Sequence, residues 1–171
     1  MGIDKATIVW RGETLAVRAA RVLCEVCDPV FEVGTGATAL RVVQEEPPGA
    51  GPVAAVLRGV DALGAGAGAA RGVLVLACDM PFVEPPLLEL LTQQPGDSTV
   101  IPVRAGRPQY LCARYGPAWL ERARRAGAVS FKGVVTDDCE YLADTEWQRV
   151  AAMNALDDVD TPEDRARSIG S

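Results

Sequence analysis

The stretch at residues 73–82, V-L-V-L-A-C-D-M-P-F, constrains the fold of this chain more than any other. Its unbroken apolar run, closed by Asp-x-Pro, predicts a strand buried on both faces, as in a mostly parallel sheet covered by helices. Asp79 then falls at the carboxyl end of the strand. Ligands of open α/β sheets bind beyond those ends, so Asp79 is a candidate for holding a cation and, through it, phosphate oxygens. The alternative is that Asp79 only caps the turn before Glu84-Pro85-Pro86 begins a helix.

The composition limits the kinds of protein this chain can be. Its 171 residues, 49% of them hydrophobic, predict one domain with a substantial core, spanning residues 1–171. The formal net charge of −6 argues against general binding to nucleic acid or to an anionic membrane, because either needs a basic face. No apolar run of about 18 residues and no charged-then-apolar leader is visible, so we expect a cytoplasmic protein without a membrane span.

The side chains available for chemistry are limited too. The chain has no histidine, which removes imidazole both as a general base and as a metal ligand. Its five cysteines are odd in number and irregularly spaced, unlike a disulfide framework. Catalysis must therefore rest on carboxylates, lysine, arginine and backbone amides.

Apolar periodicity and Pro/Gly punctuation predict helices and strands along the whole chain. Helices are predicted over residues 15–26, 52–63, 87–91, 119–125, 129–135 and 144–150, and strands over residues 30–33, 98–103, 139–142 and 153–156. Residues 40–43 form a further apolar segment. Gly51-Pro52 opens the second helix. Free amides at that point suit an anion or the carbonyl oxygen of a base, although an ordinary turn explains the same residues.

Five motifs occur in a characteristic order. They are M-G-x-D-K-A at residues 1–6, P-P-G-x-G-P at 47–52, L-V-L-A-C-D-M-P-F at 74–82, G-R-P-Q-Y-L-x-A-x-Y at 106–115 and D-V-D-T-P-E-D at 158–164. In order and spacing the chain resembles the molybdenum cofactor guanylyltransferases over nearly its whole length. It is also similar to the wider nucleotidyltransferase superfamily, which includes molybdopterin cytidylyltransferases and sugar-nucleotide pyrophosphorylases.

This resemblance implies a fold and an activity. The fold is a single three-layer α/β/α Rossmann-like domain with a mostly parallel sheet, of the nucleotide-diphospho-sugar transferase type. The activity is Mg²⁺-dependent transfer of GMP from GTP to molybdenum-molybdopterin, with release of pyrophosphate. The implied partners are these two substrates and a molybdenum-insertion protein or an acceptor molybdoenzyme.

The resemblance also assigns catalytic and metal-binding residues. Lys5 becomes a phosphate contact, and an ammonium on a flexible stem can follow charge from the α-phosphate to the leaving pyrophosphate. Asp79 becomes a Mg²⁺ ligand, and Asp158 and Asp160 supply the second acidic group. By itself Lys5 would be an ordinary surface lysine. The guanylyl family usually shows N-x-N-T-P where this chain has D-x-D-T-P, and that form looks more like the cytidylyl branch, which uses CTP.

Two further loops are candidates for substrate binding. Near P-P-G-x-G-P the guanylyl family places an acid that accepts from guanine N1–H and the 2-amino group, so Glu45 or Glu46, with Gly49 and Gly51, is expected to bind the nucleotide. Both glutamates could instead be solvated. Arg107 and Gln109 stand in the R-P-Q stretch that the family uses around its pterin; they could bond the pterin or only furnish turn chemistry.

The chain departs from the family at its start. The family opens with L-A-G-G-x-S-x-R directly before M-G-x-D-K-A, and that segment forms the first strand and a glycine-rich phosphate loop. A gap there would leave two unpaired edges inside the sheet, so we expect a cropped sequence or a misplaced start rather than a functional shortened enzyme. If the loop is truly absent, the alternative is a non-catalytic module that binds a pterin or a partner enzyme.

Overall fold

The computed structural model describes residues 4–47, 49–67, 72–94, 97–127, 130–136 and 138–159. The helices are α1 (Leu15–Val26), α2 (Pro52–Ala67), α3 (Pro85–Gln93), α4 (Pro117–Ala126) and α5 (Asp144–Trp147). The strands are β1 (Val9–Trp10), β2 (Glu13–Thr14), β3 (Phe31–Val33), β4 (Arg41–Val43), β5 (Val73–Leu76), β6 (Thr99–Arg104), β7 (Arg107–Pro108), β8 (Cys112–Tyr115) and β9 (Cys139–Leu142). Short 3-10 helices cover Lys5–Thr7 and Phe131–Gly133.

The largest sheet has five strands. β8 is antiparallel to both β5 and β6, and β9 is parallel to β6, so β5, β6 and β9 run in the same direction and end at the same edge. β7 folds back on the end of β6 as an antiparallel hairpin. Two smaller sheets pair β1 with β2 and β3 with β4, the second pair parallel. The predicted α/β class is confirmed, while the sheet is partly antiparallel because β8 returns between two parallel strands.

Helices cover both faces of the sheet. On one face α1 and α3 pack with α5, and the buried side chains include Leu87, Leu88 and Leu91. On the other face α2 and α4 pack through a second cluster that includes Val53 and Trp119. Each fully buried leucine contributes about 1.5–3 kcal/mol of transfer free energy. The arrangement is the expected three-layer α/β/α sandwich.

The helix boundaries follow local signals in the sequence. Thr14 caps α1, since its hydroxyl accepts from the amide of Val17 at 3.3 Å. Proline occupies the first turn of α2, α3 and α4, as its fixed φ favours. α2 is interrupted at Gly64, whose φ of 76° is not helical, and α4 ends at Gly127 in the left-handed region.

Three predictions about individual elements are wrong. β5 lies at an edge of the five-stranded sheet and all four of its residues are only half-buried, because one side of the strand faces a cleft. Residues 130–135, the described part of the predicted helix over 129–135, hold only the 3-10 helix. Residues 153–156 form turns rather than a strand, with the amide of Ala155 bonded to the carbonyl of Ala152, so that the chain can bend back toward β5.

All five cysteines are free thiols, in agreement with the sequence. Over the described ranges, no helix has both the length and the apolar character required to cross a membrane.

Gly116, at the junction of β8 and α4, should tolerate no side chain. A Cβ there would lie only 1.8 Å from the carbonyl oxygen of Asp97, far inside van der Waals contact. Gly116→Ala must therefore displace the backbone. We expect it to lower the free energy of unfolding by about 3 kcal/mol in urea denaturation. Gly133→Ala is the matched control, because nothing lies within 4 Å of its added Cβ. Equal stability of the two variants would contradict the packing described here.

Candidate active site

Asp79 and Lys5 meet at the carboxyl end of β5. Asp79 lies three residues beyond the strand, and the Nζ of Lys5 is 2.8 Å from its Oδ2. The side chain of Asp79 is 21% exposed and that of Lys5 is 42% exposed. The ion pair is therefore held in place yet open to a ligand on its solvent side. Residues from the first and the middle motif come together as the sequence predicts.

The last described segment brings Asp158 to the same place. The amide of Val159 donates to the backbone carbonyl of Asp79 at 2.8 Å, so Asp158 is next in sequence to a residue bonded to Asp79. Asp158 also takes part in a polar interaction. Asp160, the other predicted metal ligand, lies outside the described residues. Three of the predicted charged residues are thus gathered at one edge of the sheet.

This cluster offers carboxylates that could hold a divalent cation. Carboxylate oxygens are the ligands Mg²⁺ prefers, and it commonly takes only one or two of them, leaving its other positions to phosphate oxygens and water. In the described part of the chain, no group of three or more acidic or cysteine side chains is placed to hold a metal ion. Asp79 and Asp158 are the candidates to hold a divalent cation.

Arg18 of α1 supports the loop that carries Asp79. Its side chain is only 11% exposed; its Nε donates to the carbonyl of Pro81, and its guanidinium pairs with Glu84. The same guanidinium lies 4.9 Å from the ring centre of Trp10, which makes an edge-on contact with Phe82. Sequence reasoning missed this role. The sequence shows only an arginine one turn into an amphipathic helix. Its partners, more than 60 residues away, cannot be predicted from that pattern.

The R-P-Q stretch lies at the same end of the five-stranded sheet as Asp79, with β8 and β6 between β5 and β7. The amide of Ala77 donates to the carbonyl of Leu111 at 2.7 Å, which places the residues before β8 at this same end of the sheet. The side-chain amide of Gln109 donates to the carbonyl of Arg107 at 3.1 Å. Its backbone amide donates to the carbonyl of Pro102. Gln109 therefore serves the turn, whereas Arg107 is exposed.

The predicted base-binding loop joins β4 to α2. Glu46 is 80% exposed and lies 3.4 Å from Arg58, while Glu45 is half-buried. Gly49 and Gly51 have φ values of 76° and 100°, which a residue with a Cβ rarely adopts. Of the two glutamates, Glu45 is the less exposed.

A second anionic side chain organises the loop after β3. The carboxylate of Glu32 accepts from the amides of Gly36, Ala37 and Thr38 and from the Thr38 hydroxyl, at 2.6–2.8 Å. Burial alone would raise the pKa of Glu32. The hydrogen bonds from Thr38, Ala37 and Gly36 outweigh it and hold that pKa below its usual 4.5.

Glu32 should therefore stabilise the protein in a pH-dependent way. Because the folded state lowers its pKa, the contribution is fully present above the unfolded-state pKa and is lost as pH falls through the folded-state value. We expect Glu32→Gln to reduce the free energy of unfolding near pH 7, and the difference from wild type to shrink in acid. Urea denaturation across this range measures both. Glu25→Gln is the control, because Glu25 is an exposed residue on α1. If the difference in unfolding free energy between Glu32→Gln and wild type did not change with pH, the assignment would be contradicted.

Comparison with known proteins agrees with this geometry. The family profile described as the MobA-like NTP transferase domain matches residues 1–135. A probable molybdenum cofactor guanylyltransferase of Mycobacterium avium (strain 104) is 31% identical over 172 residues, covering 93% of this chain and 86% of the relative. Another, from Opitutus terrae, is 44% identical over 90 residues, covering 49% of this chain and 44% of the relative.

Solved structures share the fold. Molybdopterin-guanine dinucleotide biosynthesis protein A from Archaeoglobus fulgidus superimposes with a TM-score of 0.73 at 22% identity, covering 98% of this chain and 89% of that one. A nucleotidyl transferase from Methanothermobacter gives a TM-score of 0.72 at 19% identity, covering 96% and 82%. With the family match, these observations identify the chain as a member of the MobA-like NTP transferase family and an enzyme of the nucleotidyltransferase type.

Proposed function

We propose that the protein transfers GMP from GTP to molybdenum-molybdopterin, with Mg²⁺ as the metal and pyrophosphate as the leaving group. The observation that carries this proposal is the meeting of Lys5, Asp79 and the Asp158 segment at the carboxyl end of β5. The names of the related proteins support the acceptor and the nucleotide.

Asp79 and Asp158 would hold the metal ion, which members of this family generally require. When bound, Mg²⁺ neutralises charge on the phosphate oxygens around the reacting phosphorus. Lys5 is within reach of the same oxygens, because its Nζ already lies 2.8 Å from an Asp79 oxygen. A phosphate group entering here would share the ammonium with Asp79, so the ion pair keeps Lys5 in position before the substrate arrives.

The remaining residues bind and orient. The acceptor's terminal phosphate is already ionised near neutral pH, so it can attack the α-phosphate without a general base, which suits a chain that has no histidine. Arg107, exposed at the same end of the sheet, would bind the anionic pterin. Glu45 would accept from the guanine edge, with Gly49 and Gly51 allowing the loop to approach the base.

The cellular setting belongs to the same proposal. We place the enzyme in the cytoplasm, with a molybdenum-insertion protein or an acceptor molybdoenzyme receiving its product. A nucleic-acid partner is not proposed, since the chain carries a net charge of −6.

The test is transfer of label from GTP labelled on the α-phosphate. The label should enter molybdenum-molybdopterin only when Mg²⁺ is present, with one pyrophosphate released for each GMP transferred. CTP labelled in the same way is the competing substrate. Faster transfer from CTP would replace guanylyl with cytidylyl transfer, and pterin binding without any transfer would favour a non-catalytic binding module.

A further inference from the structure

The hairpin that carries the R-P-Q stretch is fixed at its turn. Arg104 on β6 is paired with Arg107 on β7, so Ala105 and Gly106 form a two-residue loop. Both loop residues have positive φ values, 48° and 76°, as the turns of two-residue hairpins require. The amide of Ala105 donates to the carboxylate of Asp144 at 3.1 Å. The turn is therefore held against the first residue of α5.

The two paired arginines of this hairpin have different surroundings. Directly opposite residues of an antiparallel pair project from the same face, with Cβ atoms about 5 Å apart, and like charges in that position repel. Asp157 neutralises Arg104, since its Oδ1 accepts from the Arg104 Nε at 3.0 Å. Arg107 is exposed. The Arg104–Asp157 ion pair thus connects the hairpin to a segment 53 residues further along the chain.

Asp157 begins the segment that reaches the candidate active site. Its neighbour Asp158 is a proposed metal ligand, and the amide of Val159 donates to the carbonyl of Asp79 at 2.8 Å. The segment is therefore held on both sides of Asp158, by Arg104 before it and by Asp79 after it. Because both of its neighbours are fixed, Asp158 has little freedom to reorient its backbone, and its carboxylate is limited in the positions it can take.

We propose that Arg104 is a positioning residue for the metal site. Through Asp157 it holds Asp158 in the orientation in which Asp158 and Asp79 share one cation. Neither Arg104 nor Asp157 belongs to the five sequence motifs. The inference rests on the metal site of the proposed function and adds to it the pair of residues that keeps one of its ligands in place.

Two other roles of this ion pair lead to different expectations. As an ordinary surface ion pair, it would contribute little to stability and nothing to metal binding. As a source of charge only, Arg104 would repel a cation and Asp157 would attract one, so neutralising each would shift metal binding in opposite directions. As a positioning pair, the two residues hold the same segment, so either substitution weakens metal binding.

Calorimetric titration of Mg²⁺ in the presence of GTP distinguishes these roles. We expect Arg104→Gln and Asp157→Asn each to raise the Mg²⁺ concentration for half-maximal nucleotide binding by about fivefold or more, because residues that orient metal-binding carboxylates affect metal affinity strongly. The double variant should be no weaker than the weaker single variant, since both remove the same contact. Arg104→Lys should recover most of the affinity, because this single contact is not bidentate.

Amide exchange provides a readout that needs neither metal nor nucleotide. The Val159 amide should exchange about tenfold faster in Arg104→Gln than in wild type, because its bond to the Asp79 carbonyl opens more often when the segment is released. The amide of Ala77 donates to the carbonyl of Leu111 at the same end of the sheet. It is the internal reference, and its exchange should not change.

Arg122→Gln is the matched control. Arg122 and Arg104 have the same exposed fraction, 32%, and Arg122 pairs with Asp138, which precedes β9 and so lies at the opposite end of the sheet. This variant should change neither readout. Opposite shifts in Mg²⁺ dependence for Arg104→Gln and Asp157→Asn would overturn the proposal, as would unchanged Mg²⁺ dependence or unchanged Val159 exchange. If wild type binds no nucleotide with Mg²⁺, the proposed function fails, and Val159 exchange still decides whether Arg104 holds the segment.

Discussion

Asp79→Asn is expected to abolish metal-dependent nucleotidyl transfer while the fold is retained. Asn keeps the shape of the side chain at the end of β5 but removes the negative charge that Mg²⁺ requires. It also weakens the 2.8 Å contact with the Lys5 ammonium, so both groups that we propose to act on the phosphates are affected. We expect the turnover number to fall by roughly a thousandfold or more.

Two measurements distinguish a metal ligand from a capping residue. Circular dichroism and urea denaturation report the fold, and calorimetric titration of Mg²⁺ with GTP reports metal-assisted nucleotide binding. Asp61→Asn is the matched control, because Asp61 makes an exposed ion pair with Arg124 away from the site and should retain both binding and turnover. Unchanged transfer by Asp79→Asn would end the metal-site assignment. A variant that fails to fold would support the capping role instead.

Discrimination between GTP and CTP is the second large effect that we expect. If a glutamate accepts from the two guanine donors, losing that charge-assisted contact should cost about 1.5–3 kcal/mol, which is roughly tenfold to a few hundredfold in affinity. Wild type should therefore bind GTP more tightly than CTP. The Glu45→Ala, Glu46→Ala double variant should lose most of this preference.

The two single variants show which glutamate is responsible. Glu46 is 80% exposed beside Arg58, so water screens any contact it makes, whereas Glu45 is half-buried. We expect Glu45→Ala to account for most of the loss and Glu46→Ala to serve as the control. Calorimetric competition with Mg²⁺ present gives both affinities. Equal affinities in wild type, or a preference for CTP, would contradict guanylyl transfer; a GTP preference that survives the double variant would show that other residues contact the base.

The sequence predicts elements well where the signal is local. The Asp28-Pro29 pair marks the end of α1, and Gly51-Pro52 marks the start of α2. The convergence of Lys5, Asp79 and Asp158 could be expected as well, because each lies in a motif with a known place in the family fold. Such signals are carried by a few adjacent residues and need no knowledge of distant partners.

Failures occur where a distant part of the chain decides the outcome. The apolar run of β5 suggests burial on both faces, but whether a strand has a neighbour on each edge depends on residues far from it. Residues 153–156 are apolar enough for a strand, yet the bond between Val159 and Asp79 requires turns there. Likewise, the contacts of Arg18 and the backbone amides that donate to the Glu32 carboxylate depend on loop geometry, which the sequence pattern does not specify.

The bond between the Val159 amide and the Asp79 carbonyl has a consequence for protein synthesis. The site is built from residues near the start, the middle and the end of the sequence, so a ribosome must add every residue from Lys5 to Val159 before it can close. At about 5–20 residues per second this takes roughly 8–30 seconds. During that interval the growing polypeptide lacks the complete arrangement of Lys5, Asp79 and Val159. Nascent chains and prematurely terminated products therefore do not contain the assembled candidate site.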